Sequence, residues 1–493
     1  MSKVKDTQQH PKVEIAVKNF GPIAEADIDL RPLTVFVGPS NTGKTYFATL
    51  VYALHGAFNG LCHSSLLSPF KNGGTVMDIL SKLLTGLTTP KEEIQEILDK
   101  LDMRERPFKL SDLSKEIRQK LDIIIKDTDL FGEELQDELK NCFDLNTISE
   151  LIRLSGKQGN EGTVLLKIGE KNKEYWNISM KASESEVNLY NLTSLDRPTY
   201  DDMVLLPEGG SASGKLSVED NRVRISRFGT RGGHSRYYLP AARSGIMQSH
   251  RIIASSLVTR TTRVGLEHFP EVPTLSSVIA DFMEKIILYD EKKGLRTAMK
   301  HLAETLETEI LSGQIRLRPS SSGYPGFYYR PQGIEEDIRL SQTSSMVSEL
   351  APLVLFLRGL VNPGDTLIIE EPEAHLHPGA QADMAVILAR LVRARVRVII
   401  TTHSDWLLEE IGNLVLEGLL EDETEQPPSW LLPEDVGVWH FQKDEPVKEI
   451  PFHPREGISP KDYEDVAEGL YNRSVNLQQR FEKKKGEGER ESS

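Results

Sequence analysis

The sequence GPSNTGKT at residues 38–45 carries most of the information about the fold. It fits the consensus Gly-x-x-x-x-Gly-Lys-Ser/Thr and lies between an apolar segment at 33–37 and an apolar-rich segment at 45–58, which predict a strand and a helix. Glycines let such a loop curl so that backbone amides point at phosphate oxygens, and the helix start adds partial positive charge. The stretch therefore predicts a phosphate-binding loop.

Each position of this loop has a predicted role in holding a nucleoside triphosphate and its metal. Lys44 is predicted to hold the β- and γ-phosphates of ATP, and the Thr45 hydroxyl is predicted to ligate Mg²⁺. The other predicted nucleotide-binding residues of the loop are Gly38, Ser40, Asn41, Thr42 and Gly43. Pro39 removes one amide that could have faced a phosphate.

Two later strand ends supply the acids and a histidine that such a loop needs. The apolar stretch 367–369 ends at Glu370-Glu371-Pro372-Glu373, which begins 326 residues after Lys44. We assign Glu370 to magnesium, directly or through water, and Glu371 to polarising the attacking water. A second apolar stretch at 396–401 ends at Thr402-His403, and His403 is predicted to reach the γ-phosphate.

The order of these motifs resembles that of the ABC-type ATPases of the RecF, SMC and OLD-like group. The shared features are a phosphate loop preceded by strands, a serine-bearing helix start at Ser344-Ser345, LIIEEPEAHLHP at 367–378 and TTHS at 401–404. The resemblance covers residues 12–60 and 338–412. It implies an α/β fold, an ABC-type P-loop ATPase head whose nucleotide-binding domain is split by helical and β-rich insertions.

The same resemblance implies a head-to-head dimer that sandwiches two ATP molecules, or a higher homo-oligomer. Ser344 and Ser345 of one subunit would cap the γ-phosphate bound by the other, although Met346 and Val347 stand where transporter-like members have glycines. The loop 374–377 would cross the dimer seam. Its histidines, His375 and His377, could alternatively bind a metal.

The composition shifts along the chain predict six segments. They are 12–60, the N-terminal part of the head; 61–160, a helical insertion with apolar faces at 94–101 and 110–124; 161–240, a β-rich segment; 241–337, a helical segment with a β-hairpin; 338–445, the C-terminal part of the head; and 446–493, an extension with a disordered tail.

Composition limits the compartment and the partners. The chain has 493 residues, and its 59 Lys and Arg against 74 Asp and Glu give a net charge of −15, which should repel nucleic acid overall. Two cysteines are too few for a disulfide framework. The sequence has no apolar run near the roughly 20 residues needed to span a bilayer. We therefore expect a soluble, cytoplasmic protein without a membrane partner.

One segment departs from this acidic balance. Between Arg222 and Arg263 there are nine arginines and neither Asp nor Glu. The segment could bind nucleic-acid phosphates such as DNA, or dock an acidic partner or the chain's own acidic helices, including 133–134 and 137–138; a solvated strand face is a third possibility. Within it, residues 237–244 are similar to a segment near the nucleotide in OLD-like ATPases, which makes Arg243 a candidate for sensing phosphate.

The resemblance also implies what the ATPase is for. OLD-like proteins often carry a Toprim nuclease after the head, but residues 405–493 contain no Asp-x-Asp pair, so we expect no intrinsic nuclease. A stand-alone head with a helical insertion looks like the ATPase subunits of bacterial anti-phage systems of the Septu or PARIS kind. The leading expectation is an ATP-driven sensor or scaffold that controls a separate effector, a nuclease. The alternative is a RecF-like DNA repair clamp.

Overall fold

The computed structural model describes residues 12–57, 108–109, 128–152, 161–168, 174–181, 187–191, 204–207, 214–219, 222–227, 235–249, 275–289, 299–318, 325–420, 429–455, 457–458, 469 and 471–480. The strands are β1 Val13–Phe20, β2 Ile23–Asp29, β3 Leu33–Val37, β4 Phe108–Lys109, β5 Glu161–Ile168, β6 Glu174–Lys181, β7 Val187–Asn191, β8 Val204–Pro207, β9 Gly214–Glu219, β10 Arg222–Arg227, β11 Arg236–Leu239, β12 Gly313–Arg318, β13 Gly326–Pro331, β14 Ile338–Arg339, β15 Thr366–Glu370, β16 Arg397–Thr401, β17 Val436–His440 and β18 Lys448–Ile450. The α-helices are α1 Lys44–Ala57, α2 Thr128–Phe143, α3 Ser277–Ile287, α4 Lys300–Thr305, α5 Ser345–Gly359, α6 Pro378–Arg393 and α7 Asp405–Leu419.

A six-stranded sheet with the order β11-β15-β16-β3-β17-β18 lies at the centre of the fold. Its first five strands are parallel, and only β18 pairs antiparallel. Every residue of β3, β15, β16 and β17 is buried. Strands of a parallel sheet are covered on both faces, which is why these segments read as near-continuous apolar runs. The predicted α/β class is confirmed.

The two faces of this sheet pack against different layers. Leu33, Val35 and Leu367 belong to a core shared with α5, α6 and α7. Phe36 and Ile368 belong to a second core shared with α1, α2 and β1. This division follows from the alternation of side chains along a strand, which sends successive residues to opposite faces.

An antiparallel sheet with the order β2-β1-β5-β6-β7 forms the layer beyond α1. The β1–β2 hairpin turns at Gly21, whose N–H donates to the Leu151 carbonyl over 2.6 Å. Ile15 of β1 pairs with Leu166 of β5, so strands separated by some 150 residues share one sheet. Pairing with β5 places part of the predicted β-rich segment beside the N-terminal strands.

Smaller elements complete the described part of the chain. Strands β12, β13 and β14 form a three-stranded antiparallel sheet just before α5. Strands β4, β8, β10 and β9 form a four-stranded sheet. The predicted apolar faces at 94–101 and 110–124 and the predicted disordered tail from Glu482 lie outside the described residues. Among the described helices, none combines the length and apolarity that crossing a bilayer requires. The proposed segment boundaries stay predictions.

Candidate nucleotide site

The predicted site residues come from strand ends that meet at one edge of the central sheet. The strand order places β16 between β15 and β3. In the register of these strands, Glu370 pairs with Thr401, and Thr401 pairs with Phe36. Two strand spacings of about 4.8 Å therefore separate the end of β15 from the end of β3, about 10 Å in all. The structure thus brings the loop at 38–45 and the Glu370-Glu371 pair to the same edge, although they are far apart in sequence.

The phosphate loop has a backbone that only certain residues can adopt. Gly38 and Gly43 have φ values of 124° and 108°, and Asn41 has a φ of 63°. A Cβ atom on Gly38 would lie 2.1 Å from the Phe441 carbonyl oxygen, and one on Gly43 would lie 2.5 Å from Cγ1 of Ile23. The loop is therefore wedged between the residue after β17 and the β1–β2 turn, and glycine is required at both positions.

Lys44 is held inside this loop. Lys44 is only 6% exposed, and its Nζ donates hydrogen bonds to the carbonyl oxygens of Gly38 and Pro39, both over 2.7 Å. Burial lowers the pKa of Lys44 to about 8, while the charges of Glu371 and Glu373 act in the opposite direction. A cation that burial disfavours in this way gains stability from an anionic ligand, as a phosphate-binding lysine should.

The remaining loop residues divide into an exposed set and a buried one. Ser40, Asn41 and Thr45 are exposed, so their polar groups are open to a ligand. Thr42 is 3% exposed, and its hydroxyl donates to the Pro39 carbonyl over 2.8 Å. The Thr42 hydroxyl therefore braces the loop, and its contribution to nucleotide binding would come from the backbone.

Glu370 is buried, with both carboxylate oxygens bonded by the protein. Oε1 accepts from the Tyr238 hydroxyl, and Oε2 accepts from the Ala241 N–H over 2.8 Å. Burial raises the pKa of Glu370 against the opposing effect of these bonds. Because both oxygens already accept hydrogen bonds, the geometry fits contact with Mg²⁺ through water better than direct ligation.

The described residues fit a loosely held Mg²⁺ rather than a protein cage. No group of three or more His, Cys, Asp or Glu side chains in the described ranges is arranged to hold a metal. Mg²⁺ usually keeps several waters and is held by one or two protein oxygens together with substrate phosphates. The exposed Thr45 hydroxyl and the nearby Glu370 match that pattern.

Glu371 has a strained backbone that is fixed from two sides. Its φ is 45°, in the left-handed region that non-glycine residues rarely occupy. Its N–H donates to the Thr401 carbonyl over 2.9 Å, and its own carbonyl accepts from Nη2 of Arg243 over 2.9 Å. Its charge acts to raise the pKa values of both Lys44 and His403, so the three groups lie within electrostatic reach of one another.

His403 follows β16 and is exposed at the same edge. Partial burial and the charge of Lys44 lower its pKa, so the imidazole is neutral at pH 7 and offers one N–H donor. The His403 backbone N–H donates to Oε1 of Glu373 over 2.8 Å. Sequence reasoning assigned no role to Glu373, although its position as the third acid of the EEPE sequence was a signal.

Arg243 binds the backbone of Glu370 and Glu371 from inside the protein. It is 1% exposed, and its guanidinium donates to the carbonyl oxygens of Glu370 over 2.6 Å and of Glu371 over 2.9 Å. Nε also pairs with Oε2 of Glu349 in α5 over 3.1 Å. The predicted role of sensing phosphate does not fit this geometry, because these donors already serve carbonyls and a buried carboxylate. Arg243 instead ties the end of β15 to α5.

Arg236 is the other arginine of the basic segment whose side chain is described. Its guanidinium forms an ion pair with Glu138 of α2, donates to the Tyr52 carbonyl and stacks 3.9 Å from the centre of the Tyr52 ring. For Arg236, the structure therefore favours the interpretation that the segment docks the chain's own acidic helix. The other seven arginines lie outside the residues whose side chains are described.

The residues proposed to act across a dimer seam are at the surface. Ser344 and Ser345 are exposed, and Ser344 caps α5 by accepting from the Val347 N–H over 3.4 Å. His377 caps α6 by accepting from the Gly379 N–H over 3.4 Å, and Nε2 of His375 lies 3.9 Å from Oε1 of Glu349. The two histidines thus have separate protein partners, which does not support the metal alternative.

Comparisons with known proteins give similarities of two kinds, to solved structures and to a protein family. No curated protein matches the chain. Solved structures that resemble it include an SMC head bound to the C-terminal winged-helix domain of ScpA (10% identity, covering 91% of this chain and 99% of that one, TM-score 0.41) and the SMC head domain from Thermotoga maritima (10%, 90% and 100%, TM-score 0.36). A third structure is an SMC head from Pyrococcus furiosus with an extended coiled coil, bound to the C-terminal domain of ScpA. It is 11% identical, covers 94% of this chain and 100% of its own, and has a TM-score of 0.38. These are weak similarities.

The family comparison is more specific than the structural ones. Residues 253–408 match the AAA ATPase domain family. The matched range contains Glu370, Glu371 and His403, which the structure places beside the phosphate loop. The similarity to AAA ATPase domains therefore applies to about a third of the chain, the part that contains these three residues.

Proposed function

We propose that the chain is a Mg²⁺-dependent ATPase whose heads close on ATP as a dimer, and that closure controls a separate effector, a nuclease, in anti-phage defence. The observation that carries the ATPase part is the convergence of Lys44, Glu371 and His403 at one sheet edge, where the charges of Lys44 and Glu371 both influence the pKa of His403. A cation, an acid and a neutral imidazole around a phosphate loop can together support phosphoryl transfer to water, because they neutralise phosphate charge, position the water and donate a hydrogen bond.

The proposed chemistry divides among these groups. Lys44 neutralises charge on the β- and γ-phosphates. Glu371 orients and polarises the attacking water, and His403 donates a hydrogen bond to the γ-phosphate. When bound, Mg²⁺ supplies charge neutralisation between the phosphates, with Thr45 as its protein ligand and Glu370 acting through water.

Dimer formation is proposed from the exposed start of α5. Ser344 and Ser345 present hydroxyls and helix-start amides to solvent, which is suitable chemistry for an anionic phosphate bound by a second copy. An isologous arrangement would then complete two sites at once. Control of an effector in defence is supported by the resemblance of the motifs and their order to stand-alone ATPase subunits of such systems.

The test begins with ATP hydrolysis by the purified chain. We expect turnover with Mg²⁺, loss of turnover when EDTA removes the metal, and an ATP-dependent shift from monomer to dimer in light scattering. Absence of hydrolysis in Mg²⁺ would contradict the ATPase assignment. The effector part is tested by co-purification with the product of the neighbouring reading frame, and a partner without nuclease activity would contradict it.

A RecF-like DNA clamp remains the alternative, with less support from the described side chains. Arg236 and Arg243, two of the nine arginines offered for DNA contact, instead form ion pairs with buried carboxylates of this chain. A clamp would show DNA affinity that falls steeply with salt and that weakens on Arg222→Ala and Arg224→Ala substitution. Salt-sensitive binding of that kind would favour the clamp over effector control.

A further inference from the structure

We infer that Glu373 is a positioning residue for the hydrolytic step, because its carboxylate holds the main chain of His403 in place. The inference deepens the proposed function and rests on it, since it assigns a role within the same site. Glu373 is expected to affect turnover through His403 and to leave nucleotide binding nearly unchanged.

The first observation is a pair of hydrogen bonds to one oxygen. Oε1 of Glu373 accepts from the Thr402 hydroxyl over 2.7 Å and from the His403 N–H over 2.8 Å. These donors belong to successive residues of the segment that leaves β16. A carboxylate from the turn after β15 therefore holds the exit of the neighbouring strand, and hydrogen bonds to an ionised acceptor are stronger than neutral ones.

The second observation concerns the other side of the same segment. The Thr402 N–H donates to the Phe36 carbonyl over 3.0 Å, and the Ser404 N–H donates to the Thr402 hydroxyl oxygen over 3.0 Å. Thr402 is thus fixed to β3, whereas the peptide N–H of His403 is bonded to Glu373 alone among the bonds described. Loss of Glu373 would free His403 while leaving Thr402 attached.

The third observation is that burying the Glu373 carboxyl group costs free energy. The residue is 8% exposed, and Oε2 has no hydrogen-bond partner among the described residues. Burial also raises the pKa of this carboxyl. A buried oxygen without a partner costs free energy, so a side chain kept only for stability would more suitably be apolar. The hydrogen bonds of the carboxylate to Thr402 and His403 offset part of this cost, and they account for an acidic residue at this position.

The experiment measures kcat, KM for ATP, and equilibrium binding of a fluorescent ATP analogue for four variants of the full chain. They are Glu373→Ala, Glu373→Gln, His403→Ala and the double variant Glu373→Ala with His403→Ala. We expect Glu373→Ala to lower kcat by about 10- to 100-fold, the range typical when a residue that orients a functional group is removed. Binding of the analogue should change by less than about twofold.

The conservative variant and the double variant test the route of the effect. Glu373→Gln keeps an oxygen that can accept both bonds, so it should retain most of kcat. In the His403→Ala background, removing Glu373 should cost less than about twofold further, because residues that act through one another give non-additive losses. Multiplicative losses in the double variant would overturn the inference, as would a Gln variant as slow as the Ala variant.

Two further variants keep the test informative if Glu373→Ala unfolds. Glu373→Asp keeps the charge but shortens the side chain by one methylene, and it should also lower kcat; full activity would overturn the inference. The matched control is Glu307→Ala, which removes another buried acid that accepts a bond from the Ile315 N–H over 2.6 Å, away from the site. It should lower the melting temperature without changing kcat.

The outcomes also separate this inference from the proposed function. If the wild-type chain does not hydrolyse ATP, the proposed function itself fails. If the wild type hydrolyses ATP and His403→Ala is slow while Glu373→Ala is not, only the inference about Glu373 fails.

Discussion

The proposed ATP site has two halves that differ in how they are built. At the sheet edge, Lys44, Glu370 and Glu373 are each less than 9% exposed and are bonded by the protein around them. At the start of α5, Ser344 and Ser345 are exposed, and the Ser344 hydroxyl serves its own helix. The sheet-edge half is organised within one chain, whereas the α5 half is the exposed surface at which the proposed second copy would bind. The two halves should therefore respond differently to substitution.

Removal of Lys44 should abolish the function of the sheet-edge half, which is to bind and hydrolyse ATP. Lys44→Ala takes away the one cation held inside the loop, so ATP affinity should fall by about 100-fold or more and turnover should be lost. Isothermal titration with ATP and Mg²⁺ measures the effect. Lys300→Ala is the control, since Lys300 is an exposed residue of α4 that pairs with Glu304, and it should bind ATP normally. Retained affinity in Lys44→Ala would contradict the site assignment.

Neutralising Glu371 should separate binding from hydrolysis in the same half. Glu371→Gln keeps the size of the side chain but removes the charge that polarises water, so kcat should fall by about 10²- to 10⁴-fold while ATP still binds. Light scattering should then show dimers that persist in ATP. Glu434→Gln, at an exposed position, provides the matched control. Rapid hydrolysis by Glu371→Gln would rule out this residue as the base.

The link between α2 and the central sheet should affect stability more than chemistry. Glu138→Ala removes the ion-pair partner of the half-buried Arg236 guanidinium, which keeps the Tyr52 carbonyl as an acceptor, so the free energy of unfolding should fall by about 1.5 to 3 kcal/mol. Urea denaturation measures this. Glu304→Ala breaks an exposed pair with Lys300 and should cost less than about 1 kcal/mol. Equal losses in the two variants would mean that the Arg236–Glu138 pair contributes no more than an exposed pair does.

A negative charge at the start of α5 should weaken dimerisation and leave ATP binding by the sheet-edge half intact. Ser345→Glu places a carboxylate where the γ-phosphate of a second subunit would lie, so ATP should still bind the monomer while ATP-dependent dimerisation weakens by at least about tenfold. Ser474→Glu, on the exposed helical segment 471–480, is the control. Normal dimerisation by Ser345→Glu would contradict a seam at α5.

Mixing two inactive variants sharpens the same comparison. A heterodimer of Lys44→Ala and Ser345→Glu contains one site with an intact loop and an intact opposing serine. Equal amounts should therefore restore about a quarter of the wild-type activity if the interface is symmetric. No recovery on mixing would indicate that both halves of a site come from one chain.

The smallest effect should come from the helix cap. Ser344→Ala removes the acceptor for the Val347 N–H, which is worth about 1 kcal/mol of stability at an N-cap. Thermal unfolding should show a drop of a few degrees, with rescue by Ser344→Asp, since aspartate is also a good N-cap. A Ser344→Asp variant no more stable than Ser344→Ala would mean that the cap contributes little.

Much of the nucleotide-binding sheet could be predicted because its strands are short apolar runs. The predicted strand at 33–37 coincides with β3, and the apolar stretches at 367–369 and 396–401 match β15 and β16 within one residue at each end. Helix α7 was missed although Ser404 caps it and its buried residues recur every three or four positions, so the signal was present.

Other features could not be found from sequence. Strand β11 lies within the predicted β-rich segment, but its place in the central sheet and the partners of Arg236, Glu138 and Tyr52, depend on residues far away in the sequence. The expectation that Arg243 senses phosphate came from a local similarity, and it did not survive because burial and partners depend on the packing of β15 against α5.

The sequence by itself determined the chemistry available to this protein: a glycine loop with its lysine, two acids after an apolar strand, and a histidine after another. These are local patterns, because strand ends, helix starts and loops depend mainly on neighbouring residues. The tertiary structure decided which groups meet, since strand order placed β16 between β15 and β3. It also decided which polar groups are buried and already bonded, and this is why Glu373 became a candidate for positioning His403 while Arg243 became a brace.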